Sequence, residues 1–439
     1  MESRNTFLLR DTESFMRGEL DNLTISNGFL MLDYVQGAYV PYGCYTSPAI
    51  PMPTFDALRV SWNASAPPNT AVEAQARVLV DGNWTPWVSF GRWSPYLRHE
   101  GPSPVEKGPL LLRPDVLLLD SKVATQAQLR IYLYTNSDKV SPSVCLLGAS
   151  SRPVNVIPGG GRPVNKQLHL MPYAMARRAP SLKPWMDLAI GLCSLTNRWG
   201  ADLLPEEFAQ VLRDYRPADD ADPRNLCFAA AAAGCWGFPA WVCYADLGLL
   251  RAEARAGYGA LLRLASTPAA QAAGVPEQRF VTLRGFAAID GSPVVLLCDP
   301  WAAGEDLACE VQMPLDEFLV AWDNCALLMR ERSDGPLPGW PSRCSGQLYR
   351  AADGPADLYE FSVVGERHPL PDDFCEAGGV LAVSARGETV HATTAHRAMQ
   401  YIQPQQGGVV LPASEQHDKK YTVYAIEPTG RMLVGDVTV

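Results

Sequence analysis

Regular alternation of apolar and polar residues is the feature that most restricts how this chain can fold. In VEAQARVLV (72–80) the apolar side chains recur at every second position, and QLRIYLYT (128–135) repeats the pattern. A period of two places apolar side chains on one face of a β-strand and polar ones on the other. Asp81-Gly82 follows the first segment, where a tight hairpin turn is expected. Short strands separated by turn residues predict a β-sandwich or jelly roll over residues 1–150.

Two segments rich in Ser, Pro and Gly divide the rest of the chain. ASSRPVNVIPGGG (149–161) predicts a linker at 151–164, and SDGPLPGWP (333–341) predicts another. Residues 165–333 begin with helical signals, in which Asp202 caps PEEFAQVL, and continue with strand-like runs such as SPVVLLC. Helices followed by a sheet predict an α+β domain. Residues 342–439 again predict a β-rich domain, so the fold class is multi-domain α+β.

Charge and cysteine content exclude several classes of protein. The net charge is −10 and there is no block of Lys and Arg, so nucleic acid is not an expected partner. Eleven cysteines in 439 residues are typical of reduced thiols rather than of a secreted disulfide framework. The charged N-terminus has no apolar signal segment. We expect a cytoplasmic protein, or an exported one whose leader lies outside this sequence.

One uncharged run, from Leu226 to Ala245, has the length of a membrane span. Gly234, Gly237 and Pro239 interrupt it, and these residues end helices and begin turns. The run therefore predicts a buried helix over 225–233 and a buried strand, AWVCYA, with no membrane span.

Cys193 is the main candidate for chemistry in the middle domain. It lies in GLCSLTNRWG, after a Gly and before a helix-like stretch. A thiol at a helix N-terminus has a lowered pKa, because the N–H groups and the helix dipole stabilise the thiolate. Asp299 follows a later apolar strand, VVLLC. A nucleophile on an early helix, with an orienting group after a later strand, is the order of a papain-like cysteine hydrolase.

These motifs resemble those of the bacterial branch of cysteine peptidase family thirty-nine, a papain-like group related to bacteriocin-processing peptidases. The family's motifs are Cys-Ser-Pro-Thr-Ser, a strand ending Gly-Phe, then Asn-Asp-Pro, and a helix ending Glu-Phe-x-x-x-Trp. The matching residues are Cys193, Ser194 and Thr196, then Gly285-Phe286, then Asp299-Pro300, then Glu317, Phe318 and Trp322. The front region, with Trp62, Trp84, Trp87 and Trp93, resembles the β domain that these proteins often carry. The resemblance covers roughly residues 35–333 and implies a thiol hydrolase fold with no cofactor.

The departures from the family's motifs concern its catalytic groups. The catalytic His of the family falls on Arg279, and no His lies between His169 and His368. The oxyanion-hole Gln of the family falls on Met175 or Ala176. Arg has a pKa above ~12 and cannot accept a proton at neutral pH. Loss of either group costs on the order of 10²–10⁴ in rate, so we expect a degenerate site.

Three functions remain open from the sequence. The leading hypothesis is a peptidase-like protein without activity that binds a peptide or a glycan. The second is an active cysteine hydrolase, in which Cys193 is the nucleophile, Asp299 the orienter, and an imidazole is supplied from outside the domain's own sequence. His169, at the very edge of the domain, is a separate candidate that could reach Cys193 across the fold. The third is a structural or adhesive protein. Each site residue also has a plain alternative: Cys193 as core, Asp299-Pro300 as a turn, and Arg279 as a surface residue.

Other candidate sites are weaker. His391 and His396, in HATTAH, are five residues apart, which is a poor spacing for a metal, so no metal site is predicted. Trp62, Trp84 and Trp87 could stack on sugar rings, although tryptophans in such a domain more often form core. The GGGR segment at 159–162 lacks the strand and helix that flank a phosphate-binding loop.

Overall fold

A computed structural model describes residues 5–96, 105–201, 203–213 and 224–332, together with eight strands between Arg343 and Thr438. The chain forms two compact units. The first unit comprises Met1–Leu170, Leu212–Asp299 and Glu310–Trp340, and the second comprises Met171–Val211, Pro300–Cys309 and Pro341–Val439. The division into three domains, with linkers at 151–164 and 333–341, stays a prediction.

Strands dominate the described residues, and seven α-helices accompany them in that part of the chain. The helices are α1 (Thr12–Phe15), α2 (Lys183–Asn197), α3 (Pro205–Leu212), α4 (Leu226–Cys235), α5 (Leu247–Ala256), α6 (Pro268–Ala272) and α7 (Leu315–Ala321). The strands up to residue 153 are β1 (Thr6–Leu9), β2 (Glu19–Asp21), β3 (Leu23–Ser26), β4 (Phe29–Leu32), β5 (Tyr34–Val35), β6 (Ala38–Tyr39), β7 (Tyr42–Thr46), β8 (Ile50–Ser65), β9 (Thr70–Val80), β10 (Asn83–Trp84), β11 (Val88–Trp93), β12 (Val105–Lys107), β13 (Leu110–Arg113), β14 (Val116–Leu119), β15 (Ala124–Thr135) and β16 (Ser143–Pro153).

These N-terminal strands form two antiparallel sets. One set runs β4-β16-β8-β14-β13-β12, with β1 also paired to β16 and β3 to β4. The other runs β2-β7-β15-β9, and both β10 and β11 pair with β9. The sets join where the start of β15, at Ala124, pairs with β8. The predicted β-sandwich is confirmed.

The alternation in β9 and β15 decides which side chains form its core. In β15, Leu129, Ile131 and Leu133 are fully buried, whereas the intervening polar residues are half-buried. At the end of β9, Asp81 and Gly82 both have positive φ, 50° and 78°. This pair of left-handed residues is the signature of a type I′ hairpin turn, so the predicted turn is confirmed.

The first unit also contains a second antiparallel sheet. Its strands are β17 (Lys166–Gln167), β18 (Ala240–Tyr244), β19 (Ala260–Ala265), β20 (Gln278–Ile289), β21 (Ser292–Cys298), β22 (Glu310–Pro314) and β23 (Trp322–Met329). Their order is β18-β23-β19-β20-β21-β22, with β17 against β20. Leu8 and Leu146 of the sandwich share one hydrophobic cluster with Trp241 and Leu262 of this sheet. The papain-like identity of this region stays a prediction.

The uncharged run of the sequence becomes α4 and β18, as predicted. All ten residues of α4 are buried, and Asn225 caps it by accepting hydrogen bonds from the N–H groups of Cys227 and Phe228. Gly237, with a φ of 83°, then turns the chain into β18. No helix of the described residues is long and apolar enough to cross a membrane.

The second unit contains α2, most of α3 and three short 3₁₀ turns, Met175–Arg177, Pro180–Leu182 and Asp306–Cys309. Phe208, Val211 and Leu212 of α3 are fully buried, as the helical spacing predicts. Asp202, the predicted cap of this helix, lies outside the described residues.

The predicted β-rich C-terminal region is confirmed as one sheet. Its strands are β24 (Arg343–Arg350), β25 (Leu358–Val363), β26 (Glu366–His368), β27 (Val380–Arg386), β28 (Met399–Tyr401), β29 (Val409–Val410), β30 (Lys420–Ile426) and β31 (Met432–Thr438). The order is β26-β25-β24-β31-β30-β27-β28, with β29 on β25, and β24 and β31 are parallel.

Candidate functional site

Cys193 lies in the second half of α2, not at its start. It is the eleventh of the fifteen residues of Lys183–Asn197. The expectation that the thiol sits at a helix N-terminus is therefore wrong. Pro184 in the first turn explains the difference, because proline favours the start of a helix and places that start ten residues before Cys193.

The thiol of Cys193 is enclosed and hydrogen-bonded. Its exposed fraction is 0%. Its Sγ donates to the carbonyl oxygen of Leu203 at 3.0 Å and accepts from Nδ2 of Asn197 at 3.2 Å. Burial raises the pKa of this thiol well above its ordinary value, and the hydrogen bond from Tyr173 offsets only part of that effect. The thiol is therefore protonated near neutral pH.

Asn197 shows what the thiol does in this setting. Its Nδ2 also donates to the Leu203 carbonyl at 2.8 Å and to the Tyr173 hydroxyl at 3.0 Å, and its Oδ1 accepts from the Leu203 N–H at 2.8 Å. Cys193 thus belongs to a buried network that fastens the turn after α2. Such a network positions backbone and leaves no room for a substrate at the sulfur.

The first turns of α2 border a cavity of about 480 Å³ in the second unit. Its apolar lining includes Met175, Met186 and Trp301, and its charged lining consists of Arg178 and the exposed Lys183. The Nζ atom of Lys183 lies 5.6 Å from the centre of the Trp301 ring. Cavities of ~300–1,000 Å³ with mainly apolar walls and a few polar groups are typical ligand sites.

Asp187 stands one turn into α2, close to this cavity. Its Oδ1 accepts from the Leu188 N–H at 2.8 Å, and its Oδ2 accepts from Nε1 of Trp301 at 3.2 Å. The side chain is buried, with 1% exposure. The carboxylate therefore sets the orientation of the Trp301 ring in the cavity wall.

Two hydrogen bonds and an ion pair hold the remainder of the cavity wall in place. The N–H of Met175 donates to the carbonyl of Pro300 at 2.9 Å, and the N–H of Ala174 donates to Oδ1 of Asp306 at 2.8 Å. Arg177 forms an ion pair with Glu305. These bonds tie the 3₁₀ turn at Met175–Arg177 to Pro300–Cys309, so the two sides of the cavity keep a defined spacing.

Arg279 and Asp299 form an ion pair in the first unit. Nε of Arg279 donates to Oδ2 of Asp299 at 2.8 Å, and both side chains are about nine-tenths buried. Nη1 of Arg279 also donates to the carbonyl of Ala265 at 3.0 Å and to Oγ of Ser266 at 3.1 Å. The three acceptors hold the guanidinium in place, so Arg279 is not an ordinary surface arginine.

The predicted site residues therefore divide into two groups. Arg279 and Asp299 are brought together, while Cys193 lies in the other unit with partners of its own. His169 is exposed in the first unit. Asp187 and Trp301 were missed by sequence reasoning, although Lys183-Pro184 signals the start of the helix that places Asp187 near the cavity.

The remaining candidates give a mixed outcome. Trp62 and Trp93 are fully buried core residues, whereas Trp84 and Trp87 are half-buried. His391 and His396 lie outside the described residues. The described part of the chain contains no cluster of three or more His, Cys, Asp or Glu that could hold a metal ion. Nine cysteines between Cys44 and Cys325 are free thiols.

Comparisons with known proteins concern mainly the sandwich. Residues 10–151 match the family model described as Peptidase C39 N-terminal domain. No curated protein matches the chain. One solved structure, titled "Structure of infectious bursal disease virus Gt strain", is 13% identical over 32% of this chain and 34% of that chain, with a TM-score of 0.19. The chain thus matches only a third of that viral chain, and the likeness carries no argument. The family-model match covers about a third of the chain, and what it shows is that residues 10–151 are similar to the Peptidase C39 N-terminal domain.

Proposed function

We propose that this chain is a cysteine-peptidase-like protein without peptidase activity, which binds a peptide in the cavity at the start of α2. The observation that supports it best is the state of the Cys193 thiol. A nucleophile must reach the substrate carbonyl as a thiolate. This sulfur is buried and protonated, and it is hydrogen-bonded to Asn197 and to the carbonyl of Leu203 in the turn after the helix.

The group that would accept the proton is also replaced. Arg279 stands where the family resemblance expects His, and a guanidinium with a pKa above ~12 releases no proton at working pH. Its ion pair with Asp299 uses the carboxylate that would orient an imidazole. Loss of acid-base catalysis alone costs on the order of 10²–10⁴ in rate.

The lining of the cavity supports binding, because it combines apolar surface with a positive charge. Met175, Met186 and Trp301 offer apolar surface to one side chain of a peptide. The exposed Lys183 can donate to a carbonyl or a carboxylate of the same peptide. A peptide with an apolar residue beside an acidic one fits this combination.

Binding is tested with the full chain against a displayed peptide library, followed by fluorescence-polarisation titration of selected peptides. We expect Ala303→Trp, which fills the cavity, to lower the affinity at least about tenfold. Ala272→Trp, at an exposed position of α6, is the matched control and should bind as the wild type does. Cys193→Ala should leave the measured Kd within about threefold.

The same library also tests for hydrolysis. No peptide should be cleaved, and the cleavage rate should stay at the buffer value. Turnover that disappears in Cys193→Ala would establish the active hydrolase instead. A library that yields no binder sensitive to Ala303→Trp would contradict the binding proposal.

A further inference from the structure

A second surface with binding character lies on the sandwich, on the set of strands β7, β15, β9 and β11. Arg77, Trp87, Arg92, Arg130, Tyr132 and Tyr134 define it, and we call it the guanidinium–aromatic face. The strand register aligns Tyr132 with Glu73 and Arg92 with Glu73 across adjacent strands. The residues between them along each strand point into the core and are buried.

The guanidinium groups of this face lie over its aromatic rings. Cζ of Arg130 lies 3.9 Å from the centre of the Trp87 ring, and Cζ of Arg77 lies 4.6 Å from the same ring. Cζ of Arg92 lies 4.1 Å from the centre of the Tyr134 ring. Cation–π contacts of this kind hold a guanidinium in a fixed plane. The arginines are thus positioned before any ligand arrives.

The hydrogen-bond partners of Arg77 and Arg130 are neutral groups. In the described part of the chain, no carboxylate lies within ion-pair distance of Arg77, Arg92 or Arg130. Arg77 donates Nε to the amide oxygen of Gln128 at 2.8 Å, and Arg130 donates Nη1 to the Tyr132 hydroxyl at 2.7 Å. The register also places Glu19 and Asp21 of β2 on this side of the sheet, but neither pairs with the three arginines, so guanidinium donors remain available to an anionic ligand.

The nearest carboxylate on this face, that of Glu73, has neutral partners. It accepts from Nε2 of Gln75 at 2.8 Å and from the Tyr134 hydroxyl at 3.2 Å. Burial raises the pKa of Tyr134 to about 12, so the hydroxyl remains a donor at neutral pH. The Glu73 carboxylate therefore accepts its hydrogen bonds from neutral groups rather than from a guanidinium. The arginines keep N–H donors for a ligand.

The place of the face in the sheet argues against a peptide. Strand β9 pairs with β15 and with β11, and β15 pairs with β9 and β7. The backbone groups of β9 and β15 already have partners, so an extended peptide cannot pair with the two central strands of the face, whereas β11 pairs only with β9 among the described strands. Recognition must use side chains, and planar guanidinium forks bind carboxylates in bidentate fashion.

We propose that the guanidinium–aromatic face binds a polysaccharide whose sugar rings carry carboxylates, that is, uronic acid residues. The arginines bind the carboxylates, and the half-buried ring of Trp84, which has one guanidinium contact rather than two, contacts the C–H face of a sugar. This site is separate from the α2 cavity and does not rest on the function proposed there.

The test is calorimetric titration of the full chain with polygalacturonate oligosaccharides at low salt. We expect the triple variant Arg77→Gln, Arg92→Gln, Arg130→Gln to bind at least about tenfold more weakly. Arg162→Gln removes one exposed arginine outside the face and is the control for the loss of one positive charge. The single variant Arg92→Gln, at the exposed position, should weaken binding about threefold without a change in thermal stability.

Titrations with three other polymers determine which chemical group the face recognises. Neutral dextran should not bind. Poly-glutamate should bind more weakly than polygalacturonate, and equal or tighter binding would make the face an acidic-peptide site and overturn the proposal. Heparin that binds tighter than polygalacturonate would replace carboxylate by sulfate recognition and overturn it too. Unchanged binding in the triple variant would show that the face is not the site.

Discussion

The strongest consequence of the buried thiol is slow alkylation of Cys193 in the native protein. A free thiol with a pKa of about 8.5 is roughly one-tenth thiolate at pH 7.5, and each unit of upward shift lowers that fraction tenfold. Burial raises the pKa of Cys193 well above its ordinary value. The sulfur, at 0% exposure, also becomes reachable only when the end of α2 opens.

Opening sets the rate, because the exposed thiol regains its ordinary pKa once the turn has opened. Opening of a buried helical turn at a cost of about 3 kcal/mol lowers the accessible population roughly 150-fold. The alkylation rate should therefore fall on the order of 10²-fold below that of a free thiol.

The assay is timed exposure to iodoacetamide at pH 7.5, followed by peptide mapping by mass spectrometry. Cys44, which is half-buried on β7, provides an internal comparison, and the protein in guanidinium chloride gives the unprotected rate. Labelling of native Cys193 within tenfold of Cys44, or a rate that persists below pH 6, would mean an activated thiolate. Either result would refute the argument from burial.

Three other perturbations test the fold and the site. Gly234→Ala places a Cβ 2.6 Å from Cβ of Asn63, so denaturant titration should show a loss of about 1–3 kcal/mol despite the better helix propensity of Ala. Asp115→Asn removes the 2.7 Å ion pair with buried Arg59 and should cost about 3–5 kcal/mol. Burial alone would raise the pKa of Asp115, but the arginines outweigh it and lower the value below 3.8. The pair therefore stabilises the wild type above about pH 4 and loses its effect as pH falls through the lowered pKa, whereas the thermal stability of Asp115→Asn should lack this acid step. Arg279→His should yield no peptide hydrolysis in a fluorogenic assay, since the thiol remains buried; turnover would show that the base alone was missing.

Local patterns were sufficient for much of the fold. The alternation in 72–80 and 128–135 predicts strands because the period of two is a property of the extended backbone. Gly234, Gly237 and Pro239 divide an apolar run into α4 and β18, because these residues act on the backbone where they stand. Such signals involve neighbours in sequence, so they can be interpreted without the tertiary structure.

The candidate site was less predictable. The match of Cys193 to the family's motif relied on the neighbouring residues in the sequence. The position of Cys193 within its helix depends on the start of that helix at Lys183. The contact of Arg279 with Asp299 depends on the pairing of β20 with β21, which sets Thr282 opposite Cys298. Neither the helix start nor this register is contained in the motif.

Residue chemistry and periodicity were therefore determined by the sequence alone: the strand-rich N-terminal and C-terminal regions, the missing imidazole between 169 and 368, and an arginine at the expected base position. Only the tertiary structure decided that the thiol is enclosed, that the arginines of the sandwich lie on aromatic rings, and that a cavity opens beside α2. Enclosure, ring contacts and cavities arise from residues far apart in the chain, and their distances are set by packing rather than by sequence spacing.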